Sequence, residues 1–321
     1  MSMKISTLAV ALVLASTAST DLLAKGTPAG RGVAPAQVSI AGNPLTINIG
    51  DDHAFQVYNN AIGAAGQIYP SESGLADMGW LVRIGSNLTA PDFGNHTGGT
   101  ATGGIGAYTA FGNRSVSAVS GSGTAATPYM VTVQGSVGGM TATDVVTYVN
   151  GENFFRKALT LQNPGSSPVT ARVFLGSDIF LANSDNGTPY REPNSGSPGG
   201  QTCAGITPVY TILHIPTGSA PSGFTADRYN GVWSQIGAGA LDGAVNPSAC
   251  TDNGAALQWD VTVPAGGSST ISAATSFGAI PVIVGPPPAE AVAAPTMGAW
   301  GMAALAIALL ALAGVALRRN A

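Results

Sequence analysis

Charge is scarce in this sequence: only 9% of its residues are Asp, Glu, Lys or Arg. Between Ala34 and Ala289 there is one lysine, Lys157, and six arginines against fourteen acids. A body so poor in cations has no basic patch to follow phosphates, which excludes nucleic-acid binding. Histidine is nearly absent as well. His53, His96 and His214 are the only three, and none belongs to an HExxH pattern or another close metal-ligand spacing. No G-x-S-x-G elbow occurs, so the common serine-hydrolase signature is missing. No amphipathic helical pattern of useful length precedes the C-terminal tail, which argues against a bundle or a doubly wound fold. High net charge with low hydrophobicity, the mark of disorder, is lacking too.

Glycine (44) and proline (21) are plentiful, and short runs of alternating apolar residues fill the space between them. In 129–137, Tyr129, Val131 and Val133 alternate with Met130, Thr132 and Gln134. Gly138-Gly139 then leads into 140–149, and a Gly-Gly pair between two such runs signals a hairpin because both glycines accept positive φ. Gly151-Glu152-Asn153 turns the chain into 154–162. The segment from Asn163 to Pro168 turns it again into 169–180, where Val169, Ala171, Val173 and Leu175 share a face. These four runs read as a meander. Similar runs occur at 53–58, 80–84, 115–119, 209–215, 257–263 and 269–277. Many short strands joined by turns predict an all-β fold, a large antiparallel β-sandwich of two sheets packed face to face. The central meander resembles the large sandwiches of sugar-mutarotase-type folds, a likeness of fold that carries no motif.

The two ends have a different character. Lys4 precedes an apolar run at 5–15, then the small residues Ser16, Thr17 and Ala18. This is the pattern of a signal peptide, with cleavage expected after Ala18 or Ala24. At the other end, an uncharged stretch over about 300–317 would make a helix about 27 Å long, close to the thickness of a bilayer core. Its leucines, isoleucine and valine point all round, which suits lipid better than a one-sided core. Trp300 would sit at one interface, and Arg318 and Arg319 form a basic stop on the cytoplasmic side. The expected organisation is a signal peptide (1–24), a linker (25–37), the β-sandwich (38–284), a Pro/Ala-rich spacer (285–294) and a tail with one transmembrane helix (295–321).

The tail begins Pro295-Thr296-Met297-Gly298-Ala299-Trp300-Gly301. Pro295, Thr296, Trp300 and Gly301, placed just before a terminal apolar run with an arginine end, resemble the IPTL-CTERM sorting signal. That signal is a relative of the PEP-CTERM signals of Gram-negative bacteria. In the family, Ile precedes the proline and Leu follows the threonine; Ala294 and Met297 stand there in this chain. The resemblance covers the tail only. It implies an exosortase-type sorting enzyme as a partner, together with signal peptidase and the general secretion machinery. It also implies a chain held in the inner membrane before processing and found afterwards in the cell envelope, at the surface or outside the cell.

Candidate site residues in the body are few. Cys203 and Cys250 form an even pair in an exported chain and are expected to be a disulfide, worth roughly 4 kcal/mol in the chain-entropy model. Asp178, Asn183, Asp185 and Asn186 set hard oxygen donors close together before Gly187, chemistry that suits Ca²⁺, although Asp and Asn also simply make turns. Asp51-Asp52-His53 could supply a base oriented by a carboxylate, and equally reads as a turn at a strand start. Tyr229 and Trp233 could stack on a sugar ring or pack a loop on the sheet, and Trp259 reads as core.

Two functions follow. The first is a non-catalytic, exported envelope or surface protein, an adhesive or matrix component that needs no cofactor. The second is a secreted carbohydrate-binding or carbohydrate-active protein, with extracellular polysaccharide as partner. Convergence of Asp178, Asp185, His96, His214 and Trp233 in one pocket would favour the second.

Overall fold

The computed structural model describes residues 34–278, apart from residues 99 and 101. The signal segment, the spacer, the sorting motif and the apolar run at 300–317 lie outside the described residues. Among the described residues no helix is long and apolar enough to cross a membrane.

The fold is mostly β. The first strands are β1 (Gln37–Ala41), β2 (Leu45–Gly50), β3 (Phe55–Asn59), β4 (Met78–Ile84), β5 (Asn87–Ala90) and β6 (Thr109–Ala110). The middle of the chain forms β7 (Gly112–Val116), β8 (Tyr129–Val137), β9 (Met140–Tyr148), β10 (Phe154–Gln162), β11 (Val169–Asp178) and β12 (Asn186–Arg191). Then come β13 (Pro198–Gln201), β14 (Thr211–Pro216), β15 (Gly223–Arg228), α1 (Tyr229–Ala238), β16 (Thr251–Val263) and β17 (Ser268–Gly278).

The alternation in 129–137 does what its period demands. Val131 and Val133 are buried and Gln134 is exposed, as expected when successive side chains face opposite ways. Gly138 and Gly139 both take positive φ, 55° and 81°, and close the β8–β9 hairpin. β10 continues the meander beside β9. The expected fourth strand does not. β10 pairs on its other side with β17, and β11 pairs with β4 and β16. The turn after Asn163 therefore sends the chain to the opposite arm of the fold instead of to the neighbouring strand.

The two expected sheets are one. A 14-stranded sheet runs β6-β5-β4-β11-β16-β12-β13-β14-β17-β10-β9-β8-β7, with β15 beside β16. The short strands β12 and β13 carry it from one arm to the other. Only Phe111 separates β6 from β7, so the ends of this order meet and the sheet is nearly closed into a barrel-like form. A separate sheet, β1-β2-β3, adds Ile40, Ile47, Phe55 and Val57 to the same core. That core contains Trp80 and Trp259 from one arm and Val133, Val146, Phe155 and Ile271 from the other. Each such side chain contributes about 1.5–3 kcal/mol by leaving water.

One helix was not expected. α1 has no capping side chain at its start and little sequence signal. Tertiary packing holds it. Val232, Trp233 and Ile236 bury against Leu81, Phe174 and Ala256 on the outward face of β4, β11 and β16. At its C-terminus Gly239 turns left-handed (φ 88°), and Arg83 donates to the carbonyls of Ile236 and Gly237. These bonds satisfy end groups that a helix cannot satisfy itself. Cys203 and Cys250 are disulfide-bonded, with Cα atoms 5.2 Å apart.

Candidate functional site

The tight turn after β2 builds the most distinctive polar corner of the molecule. The Gly50 N–H donates to the Ala54 carbonyl (2.9 Å), and His53 is forced to a φ of 68°. This geometry points Asp52 inward, where it is fully buried. Its Oδ1 accepts the Ala54 N–H (3.2 Å), and its Oδ2 accepts the Asp92 N–H (2.8 Å). The same Oδ2 lies 2.8 Å from His96 Nε2. Burial alone would push the Asp52 carboxyl up. The His96 hydrogen bond and charge, with the two backbone donors, reverse that and hold it below the usual carboxylate value. A carboxylate only accepts, so Nε2 carries the proton and Nδ1 is the nitrogen left for other work. His96 Nδ1 is buried and has no hydrogen-bond partner among the described residues.

The corner is braced from outside. Arg114 reaches Asp92 Oδ2 at 3.0 Å and Asp51 Oδ1 at 3.8 Å. Phe93 meets the His96 ring edge-on, with centroids 5.5 Å apart, and meets Trp233 in the same way at 5.4 Å. His53 turns away and tilts over Phe111. Burial lowers its pKa to about 4 against the opposing pull of Asp52. The Asp51-Asp52-His53 segment is thus a turn, and its carboxylate orients a different histidine, 44 residues away.

His96 lines a cavity of about 380 Å³. Gln37, Asn95 and Thr97 supply amide and hydroxyl groups there, and Pro35 and Leu75 supply apolar wall. Among the described residues no carboxylate lines it; Asp52 stands behind the histidine. The lining offers neutral hydrogen-bonding groups and a small apolar surface, with the fully buried His96 imidazole behind them.

A second histidine cluster is sealed in the core. Lys157 Nζ donates to Thr275 Oγ1 (2.5 Å), which lies 3.2 Å from His214 Nδ1. His214 Nε2 is 2.8 Å from Ser177 Oγ. Asp144 stands diagonally across the β9–β10 register from Lys157. All five residues are fully buried. The Lys157 ammonium lies over the Phe155 ring, 4.2 Å from its centroid. Burial drives the Asp144 carboxyl up to about 7 against the pull of Lys157, and drives Lys157 down to about 7 against the pull of Asp144. Burial, then the Lys157 charge, lowers His214 to about 3.

The residues singled out from sequence are dispersed. Asp178 and Asp185 come together, but with Asp252, each offering a carboxylate oxygen within 4.8 Å of the others. Asn183 lies against Gly63 instead, and Asn186 sits exposed beside Asp252 in the β12–β16 register. Trp233 is fully buried under Phe93 and against Gly176, so its ring faces are closed to a sugar. Tyr229 opens α1 and packs on the same cluster. Of Asp178, Asp185, His96, His214 and Trp233, His96 alone lines the cavity described above. Sequence reading missed the Asp52–His96 pair. Its one available signal was the polar turn before a buried strand.

No family model matches the chain, and no curated protein matches it. Distant likeness to solved structures exists. A bacterial glucoamylase complexed with acarbose is 10% identical, with a TM-score of 0.48, over 79% of this chain and 35% of that one. A putative kojibiose phosphorylase from the human microbiome is 9% identical, TM-score 0.40, over 74% and 29%. A galactose mutarotase-like protein from Lactobacillus casei is 12% identical, TM-score 0.33, over 75% and 100%. The chain thus spans about a third of the first two. At these scores the likenesses add no functional information.

Proposed function

We propose that this chain is an exported cell-envelope protein whose β body, two antiparallel arms packed as a sandwich, binds an uncharged sugar in the cavity beside His96. The observation that carries the reading is His96 itself. Its buried ring is fixed by a buried carboxylate, and the residue stands in the wall of a cavity lined by neutral amides and a hydroxyl. Such a lining pairs with sugar hydroxyls, and the cavity volume falls in the range of small-molecule sites, roughly 300–1,000 Å³. Export rests on the apolar segment after Lys4 and is consistent with the disulfide, which persists in oxidising compartments. Delivery by an exosortase-type sorting enzyme rests on Pro295, Thr296, Trp300 and Gly301.

The reading is one of binding. Glycoside hydrolysis ordinarily needs two carboxyl groups facing each other across the scissile bond. Neither Asp52, buried behind His96, nor Asp92, held by Arg114, is presented to the cavity in that way. Calorimetric titration of neutral mono- and disaccharides tests the proposal. Saturable binding that His96→Ala weakens at least about tenfold is expected. Equal binding by the parent and His96→Ala, or no binding of any sugar, contradicts it.

A further inference from the structure

A second feature concerns the outward face of β8, β9, β10 and β17. On this face, directly paired residues form rows across the strands. One row reads Gln134, Thr143, Thr160 and Thr270. The next row towards the β8–β9 turn includes Thr141 and Gln162, again an amide beside a hydroxyl. These side chains are exposed or half-buried, while their neighbours along each strand are buried. The Thr160 and Thr270 hydroxyls bond each other at 2.8 Å. On the opposite side of the first row, Val145 and Ala158 form a small apolar strip.

The face is also free of charge. Among its outward residues on these four strands, Arg156 is the single ion, and Glu152 closes it at 2.6 Å. A chain with an acidic body thus presents one regular surface that attracts neither polyanions nor polycations. Neighbouring strands lie about 4.8 Å apart, so each row repeats a hydroxyl or amide at that interval. The interval is close to the advance of one ring along a fully extended glycan. From this charge match and this spacing we infer that the face docks an extended, uncharged polysaccharide laid across the strands. Each strand offers one hydrogen-bonding group per ring, and Val145 and Ala158 meet ring C–H groups. The inference takes its ligand class from the carbohydrate reading, but its residues are separate from the His96 cavity.

The test is retention of the full chain on suspensions of cellulose, chitin and an insoluble β-1,3-glucan. The combined variant Thr143→Val, Thr160→Val and Thr270→Val removes three hydroxyls at nearly constant volume, and valine suits strands. An unchanged melting temperature verifies its fold. Retention by the parent on at least one polysaccharide is expected, with affinity at least about tenfold lower in the triple variant. Retention should be unchanged in His96→Ala. Equal retention by parent and triple variant overturns the inference, as does no retention on any of the three. Slowed ice growth by the parent without polysaccharide retention also overturns it, and reassigns the threonine rows to ice. Loss of retention in His96→Ala alone overturns the face and leaves the cavity reading standing. Loss in the triple variant alone, with no sugar bound at His96, supports the face and sinks the cavity reading.

Discussion

His96 and His214 sit in clusters built from the same parts and placed in opposite surroundings. Each imidazole has one nitrogen tied to a fully buried side chain, Asp52 for His96 and Ser177 for His214. The His96 imidazole is fully buried too, but its other nitrogen has no partner among the described residues, and its segment borders a cavity. His214 spends its second nitrogen on Thr275, which is itself held by Lys157. A Ser–His contact at 2.8 Å would look like a nucleophile and its base if it faced solvent. Sealed between the two arms, with every member fully buried, it is a polar splint through the core. The comparison teaches that hydrogen-bond geometry alone does not mark a functional site. An adjoining cavity and an unspent nitrogen separate His96 from His214, although both rings are buried.

The sharpest way to break this contrast is to remove Lys157. Lys157→Ala leaves Asp144 buried without its cation, and loss of one partner of a buried pair typically costs about 3–5 kcal/mol. Denaturant unfolding should show that loss, and Asp144→Leu combined with Lys157→Met should recover much of it. A stability within about 1 kcal/mol of the parent for Lys157→Ala would show that the buried cluster is no splint.

Acidification comes next. His53 and His214 have folded pKa values of about 4 and about 3, below the ordinary value of 6.5. The unfolded chain therefore binds more protons than the folded one below pH 6.5, and stability falls as pH falls. The stabilisation is complete above pH 6.5 and is lost on the way down through those lowered values. Each histidine should contribute a slope of about 1.4 kcal/mol per pH unit inside its window. Chemical denaturation between pH 7 and pH 4 measures it; Asp144, raised to about 7, opposes one of the two slopes there, so stability that rises on acidification would mean that neither ring is buried neutral.

At the open cluster the effects on folding should be smaller. Asp52→Ala removes an acceptor used by His96 and two backbone N–H groups and should cost about 1–3 kcal/mol. It should also weaken sugar binding, because the ring loses its orientation. His96→Gln should change stability least, by less than about 1 kcal/mol, since an amide can still donate to Asp52. Its sugar affinity should nonetheless fall. A His96→Gln chain that unfolds as readily as Lys157→Ala would erase the distinction between the clusters.

Much of the β body was legible because its physics is local. Alternation in 129–137, the glycine pair at 138–139 and the even cysteine pair all announce themselves in short windows or in composition. The bridging strands did not. β13 reads Pro-Gly-Gly-Gln, the opposite of strand propensity. It exists because Gly199 passes so close to the Ile212 carbonyl that a Cβ there would sit 1.8 Å from the oxygen. The single sheet, and its near closure at Phe111, follow from such contacts and not from any run of residues. The site was hidden for the same reason. Asp52 could be seen as part of a turn, but nothing near it in sequence points to His96. Trp233 could be read as a sugar platform or as packing on the sheet, and α1, itself unsignalled, lays it against the sheet.

The central claim is that a ligand occupies the cavity beside His96, behind whose wall that imidazole lies, while His214 sits in the core away from it. Nitrogen-15 NMR of the two imidazoles during titration with neutral oligosaccharides tests it most directly. The account predicts a saturable shift of the His96 resonances, centred on Nδ1, with His214 unmoved. No response of His96 to any sugar, or an equal response of both rings, would contradict it.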